Sequence, residues 1–332
     1  MSTRRRAVLL LTLAVALAAV GVAVVMTTGS PAMSPGRVVE VLRTGGGTTA
    51  ELTSVQDLRL PRALLALLGG ASLGLAGALL QDSLGNPLAS PDLLGVSAGA
   101  ALVVAVVGVA HLPLGGGALA WAAAAAGLGV GAAVLSVSRT DTGARAVLFG
   151  LACAAVLNGV MICLITLAAP SDVGLLHQYL MGSLAGRSWP QVGVVVWTMT
   201  VALPVGLWLL PRLRVMRLGD DVASGLGIDV RRTRILVLAV SSVLVAGVVA
   251  VIGPVGFVAL LAPHLVRRLG LTDPALVALL AIPVGAGLLV AVDGAGRALV
   301  HPREIAVGIW TSLLGAPLLL AVLRGMRARG AR

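Results

Sequence analysis

Long apolar runs separated by short polar gaps govern this chain. Runs at 7–26, 60–80, 93–110, 114–137, 146–169, 192–210, 235–252, 275–292 and 305–323 each approach the ~20 apolar residues that carry a helix across a bilayer. A shorter apolar element at 255–266, bracketed by Pro254 and Pro263, ends at Arg267-Arg268. The pattern predicts an all-α polytopic membrane protein of about ten transmembrane helices. No period of 20–50 residues repeats, so 1–332 reads as a single membrane domain rather than an array. Residues 27–58, rich in Gly, Ser and Thr, form a polar outer segment, and 211–234 is the longest charged gap.

Whether 255–266 crosses is decided by charge. With ten spans both termini are cytoplasmic, and 17 of the 24 arginines fall inside against 7 outside. With nine spans the split is 13 against 11. Cytoplasmic loops carry the excess of basic residues, which favours ten, and a short span is tolerated where protein or a cavity shields its ends. Arg4-Arg5-Arg6 ahead of the 7–26 run has the shape of a secretory signal. The run is longer than a usual signal core, so a retained first helix is expected.

Composition agrees with the pattern. The chain is 58% hydrophobic and 11% charged, against about 25% charged in soluble domains; there is too little polar material for a water-facing surface. The net charge of +11 comes entirely from arginine among the basic residues. Nucleic acid is not the implied partner, because the arginines occupy the gaps between apolar runs; membrane lipid is. The absence of lysine excludes a GxxxxGK[ST] phosphate loop and Schiff-base chemistry, so any ATP hydrolysis belongs to another subunit. Cys153 and Cys163 share one apolar run and read as small buried residues rather than a disulfide. His111, His177, His264 and His301 lack ligand spacing, so no metal site and no cofactor is expected. His264 reads as a helix-end residue.

Three stretches carry candidate chemistry. Between 59 and 102, two arginines open a glycine-rich run closed by Gln81-Asp82 and the turn Asn86-Pro87. That run reads as one arm of a membrane hairpin whose small residues permit close helix packing. In 211–234, Asp220 and Asp221 suit a helix N-terminus, and Gly225 and Gly227 can end one short helix and break to a second. Leu218, Val222, Leu226 and Ile228 then offer apolar knobs to a partner groove. Arg59, Arg62 and Arg297 fall on the outer face in the ten-span topology. A single arginine there simply snorkels to the headgroups, whereas three on one face suit recognition of carboxylates. Asp293 and Arg297, at i and i+4, are placed to pair with each other.

RLPR at 59–62, the helix ending GALLQ, NPLA-x-P-x-LLG and S-x-GA resemble the FecCD family of ABC-importer permeases. The resemblance resumes at LGDDVASGLGIDVRR (218–232), GPVGFVALLAPHLVRRLG (253–270), DGAGR (293–297) and EIAVGIWTSLLGAP (304–317). It implies a permease for ferric siderophore, haem or cobalamin in a cytoplasmic membrane, working by alternating access. Its partners would be a separate ABC ATPase subunit, an extracytoplasmic substrate-binding protein and a second permease subunit. On this resemblance, Arg59, Arg62 and Arg297 dock glutamates of the binding protein. Asp220, Asp221, Ala223, Ser224, Gly225, Leu226, Gly227 and Ile228 couple to the ATPase. Asn86-Pro87 is a turn with a gating position. Ser90 stands where the family usually has an acid and Ala306 where it usually has proline. The other readings are a stand-alone secondary transporter, which wants intramembrane acids or an inverted repeat, and an intramembrane enzyme, which needs a nucleophile–base pair or metal motif.

Overall fold

The computed structural model describes residues 2–91, 95–137, 143–167, 174, 179–299 and 304–317. The basic gap around Arg139 and Asp141, His177, His301 and the four C-terminal arginines lie outside the described residues. Within them every regular element is helical. The order is α1 (Thr3–Thr27), α2 (Pro35–Thr44), α3 (Thr49–Leu52), a π-helical stretch (Thr53–Arg59), α4 (Leu60–Leu84), α5 (Val96–Val109), α6 (Gly116–Val137) and α7 (Gly143–Leu167). Then follow α8 (Trp189–Met216), α9 (Asp220–Gly225), α10 (Val230–Ile252), α11 (Val258–Arg268) and α12 (Pro274–Leu299), with α13 (Val307–Pro317) last. Seven helical stretches among the described residues are long and apolar enough to cross a membrane; α5 and α13 are shorter apolar helices.

The helices sort by what surrounds them. In the most apolar windows, α4, continuous with the preceding helical turns, is 83% buried and α10 is 78% buried, while α7 is 11% and α1 17% buried. Two central helices are therefore wrapped by protein, and the peripheral ones present leucine and valine outward, as lipid-facing helices do. Close packing at the centre follows from glycine. A Cβ on Gly70 would lie 2.2 Å from the Gly285 carbonyl oxygen, and one on Gly285 equally close to that of Gly70. The α4 and α12 backbones thus touch at a point where only glycine fits, the small-residue packing that membrane helices use in place of a hydrophobic drive.

The element at 255–266 is α11, eleven residues long. Phe257 before it has φ 67°, and Pro263 lies inside the helix rather than at its end. His264 is buried, with Nδ1 2.8 Å from the Leu260 carbonyl oxygen. The 27–58 segment is more ordered than its composition suggests. Thr48 and Glu51 form a reciprocal cap, Glu51 also receives Arg37 at 2.9 Å, and the helical path runs unbroken from Thr49 to Leu84. Cys153 and Cys163 are free thiols, Cys163 exposed.

Candidate functional site

Polar residues collect at the two ends of α4. At its first turn, Arg62 is 7% exposed and grips Asp293 of α12 with two parallel hydrogen bonds, Nε to Oδ2 at 2.9 Å and Nη2 to Oδ1 at 2.8 Å. Its Nη1 reaches Glu304 at 2.6 Å. Arg297, one helical turn beyond Asp293, pairs with the other oxygen of Glu304 at 3.2 Å and donates to the Val25 carbonyl. Arg59, 2% exposed, donates to the carbonyls of Met26 and Pro31. The three arginines expected to share a face do converge: Arg59 and Arg297 bond the carbonyls of Val25, Met26 and Pro31 at and beyond the end of α1, and Arg297 and Arg62 share Glu304. One expectation is corrected. Asp293 pairs with Arg62 and not with Arg297. Arg59 and Arg62 point into the chain, because a desolvated guanidinium needs acceptors and the chain supplies them itself. Among the described residues the cluster holds three guanidiniums and two carboxylates, one positive charge in excess. Burial opposes the charge on Glu304, but Arg62 and Arg297 outweigh it and hold its carboxyl below the ordinary range.

At the opposite end, the last turn of α4 is gripped from two sides. Arg267 of α11 lies 3.1 Å from Asp82 and also donates to Gln81 Oε1. Arg234 of α10 donates to the Ser83 carbonyl at 3.2 Å and to Asp220 at 3.0 Å. Gly85, with φ 58°, ends the helix. Asn86 then makes the expected turn, its side chain accepting from Leu88 N at 2.9 Å and its carbonyl from Ala89 N at 3.0 Å. An open cavity of about 360 Å³ lies beside this turn, lined among others by Asp82, Pro87, Gly219 and Asp220.

The 211–234 segment differs from the two-helix expectation. Helix α8 continues through Pro211 to Met216, and a single short helix, α9, follows. Asp229 caps α10 itself, accepting from Arg232 N at 2.8 Å, so no second short helix forms. Gly227 has φ 84° and breaks the chain as expected, whereas Gly225 is the last residue of α9 and carries no left-handed strain. Leu218, Val222 and Leu226 are 65%, 48% and 64% exposed; Ala223 is fully buried and Ile228 half-buried. Asp220 pairs with Arg234 at 2.9 Å, and Asp221 and Ser224 are exposed. Nearby, Asp273 is held below its ordinary range. Partial burial opposes this, but Arg214 at 2.7 Å and the Leu276 amide prevail.

Sequence reasoning missed Glu304, Arg234 and the Gln81–Asp82–Arg267 contact as members of these clusters. The available signal was their position: acids and amides at the very ends of apolar runs need partners, though which partner is a matter of tertiary geometry.

The model of the FecCD transport family matches residues 4–325. The chain is 35% identical over 277 residues to the Fe(3+)-citrate import permease YfmE of Bacillus subtilis, covering 81% of each chain. It is 36% identical over 288 residues to the vitamin B12 import permease BtuC of Serratia proteamaculans, covering 85% of this chain and 84% of that one. It is similar also to the ferric enterobactin permease FepD of Escherichia coli, at 35% identity over 90% of both chains. A metal-chelate-type ABC transporter solved in an inward-facing conformation superposes with TM-score 0.84 at 26% identity, covering 95% of this chain and 98% of that one. With its apolar helices and this kinship, the chain is a multi-pass bacterial inner-membrane protein and belongs to the FecCD transport family.

Proposed function

We propose that the chain is the permease subunit of a binding-protein-dependent ABC importer, moving an iron chelate inward by alternating access. A ferric siderophore is the favoured cargo, with haem and cobalamin next; the relatives named for iron citrate, enterobactin and vitamin B12 support that class. The observation that carries the reading is α9. A six-residue helix between Gly219 and Gly227 buries only Ala223 against the core and leaves Val222, with the flanking Leu218 and Leu226, exposed beside arginines. It suits insertion into a groove on a water-soluble partner. That partner is the ATPase subunit, since this chain has no lysine with which to build a phosphate loop.

The end bearing α9 is assigned to the cytoplasm. It also holds Arg6, Arg214, Arg217, Arg267 and Arg268, in keeping with the positive-inside bias. The Arg62 end is then extracytoplasmic, and ten spans, counting α5, α11 and α13, return both termini to the cytoplasm. The surplus positive charge of the Arg59–Arg62–Arg297 cluster recruits an acidic surface of the binding protein. Glu304, its side chain 35% exposed, stands at the rim, with the largely buried Arg59, Arg62 and Arg297 behind it. A second permease subunit, identical or related, completes the pathway.

Reconstitution tests this. Proteoliposomes holding the permease with its ATPase subunit and loaded binding protein are expected to accumulate ferric siderophore only when ATP is supplied. Equal uptake without the ATPase subunit would overturn the assignment in favour of a stand-alone transporter.

A further inference from the structure

Arg234 occupies a place that no motif singles out. It sits four residues after Val230, the first residue of α10, yet its guanidinium serves two other elements at once. Nε donates to the Ser83 carbonyl in the last turn of α4, at 3.2 Å. Nη2 bonds Asp220, the first residue of α9, at 3.0 Å to one oxygen and 2.9 Å to the other. One planar group therefore ties the short exposed helix to the most buried helix of the bundle, a task suited to the fixed fork of arginine.

The surroundings make this tie consequential. Gly219 and Gly227 flank α9 with φ 106° and 84°, and a Cβ at either would meet nothing within 4 Å, so the backbone at both junctions is unconfined. The cavity of about 360 Å³ beside Asp220 leaves α9 room to shift toward α4. On the far side of the same α4 turn, Arg267 fixes Gln81 and Asp82 to α11. The α4 end is thus held by two arginines, and one of the two, Arg234, is also bonded to α9.

We infer that Arg234 is a positioning residue of transport, making the inner end of α4 follow α9 when the ATPase subunit displaces it. The inference rests on α9 being the coupling element. Without Arg234, α9 can move while α4 stays on Arg267, so ATP is hydrolysed without reorienting the pathway.

The test measures ferric siderophore taken up per ATP hydrolysed, in proteoliposomes of the full complex. Arg234→Gln is expected to lower that ratio about tenfold, within the usual range of coupling free energies between sites. Arg234→Lys should recover only part, since an ammonium lacks the planar fork that serves both acceptors together. Asp220→Asn alters an exposed side chain and leaves the Arg234–Ser83 bond in place; it should lower the ratio in the same direction, which decides the matter should Arg234→Gln fold poorly. A wild-type ratio in Arg234→Gln and Asp220→Asn, or uptake and hydrolysis falling together with the ratio unchanged, overturns the inference alone. A wild-type complex whose hydrolysis drives no uptake overturns the functional reading and the inference with it.

Discussion

Arg62 and Asp293, 231 residues apart in sequence, face each other through two hydrogen bonds of 2.9 and 2.8 Å, and both side chains are less than a tenth exposed. Removing one member of such a pair strands a charge that water cannot reach. Arg62→Ala is expected to cost about 3–5 kcal/mol, read as a lowered unfolding midpoint in detergent. The double variant Arg62→Met with Asp293→Leu should recover much of that loss, because it leaves no orphaned charge; a midpoint no better than that of Arg62→Ala would argue against the pair as the cause.

The state of Glu304 gives a pH dependence with a definite sign. Its folded carboxyl is held below the ordinary value by Arg62 and Arg297 against the opposing effect of burial. A depressed folded pKa contributes stability that is present above the unfolded value, about 4.3, and is lost as pH falls through the folded one. The unfolding midpoint should therefore drop on acidification below about pH 4.3, and Glu304→Gln should flatten that part of the curve. Parallel curves for the two proteins would exclude the contribution.

Charge reversal within the same cluster addresses docking. Arg297→Glu is expected to slow association of the binding protein, most at low ionic strength, where the field of the cluster's net charge is least screened. The on-rate across a salt series is the measurement. Association at the wild-type rate in low salt would leave Arg297 a purely internal residue.

The two coupling-segment glycines should behave differently. Gly227→Ala forces a side chain into a left-handed backbone, at a cost of roughly 1–2 kcal/mol, and should impair ATP-driven uptake. Gly225→Ala meets open space in a helical conformation and should preserve stability. Equal loss of stability in both would contradict the backbone assignment.

Reporter fusions address topology. A fusion after Gly270 should report the cytoplasm and one after Leu299 the opposite side. The same location for both would eliminate α12 as a span.

The apolar runs made the helices legible in the sequence because membrane helices must satisfy their own backbone hydrogen bonds and face lipid with apolar residues. Turn chemistry was equally readable at Asn86-Pro87, where the side chain caps its own turn, and at Gly227. Gly225 was misjudged because glycine in a helix end and glycine in a left-handed break look alike in one dimension. The pairing of Asp293 was misjudged for a related reason. Local i, i+4 spacing suggested Arg297, but Arg62 presents a two-pronged grip from a neighbouring helix, and that contact depends on how α4 and α12 lie together. Glu304 and Arg234 gain their meaning from the same tertiary placement.

The glycine contact between α4 and α12 has a mechanical side. Pinned backbone to backbone at Gly70 and Gly285, the two helices have little freedom to slide past each other, so α4 works as a stiff rod. Arg62 and Asp82 mark its ends, roughly 30 Å apart at 1.5 Å per residue. A push on one end arrives at the other as a tilt of the whole rod, with no joint between to absorb it. Its two mountings are the turn after Gly85 and the π-helical stretch Thr53–Arg59, the two places where the α-helical hydrogen-bond register of the rod ends.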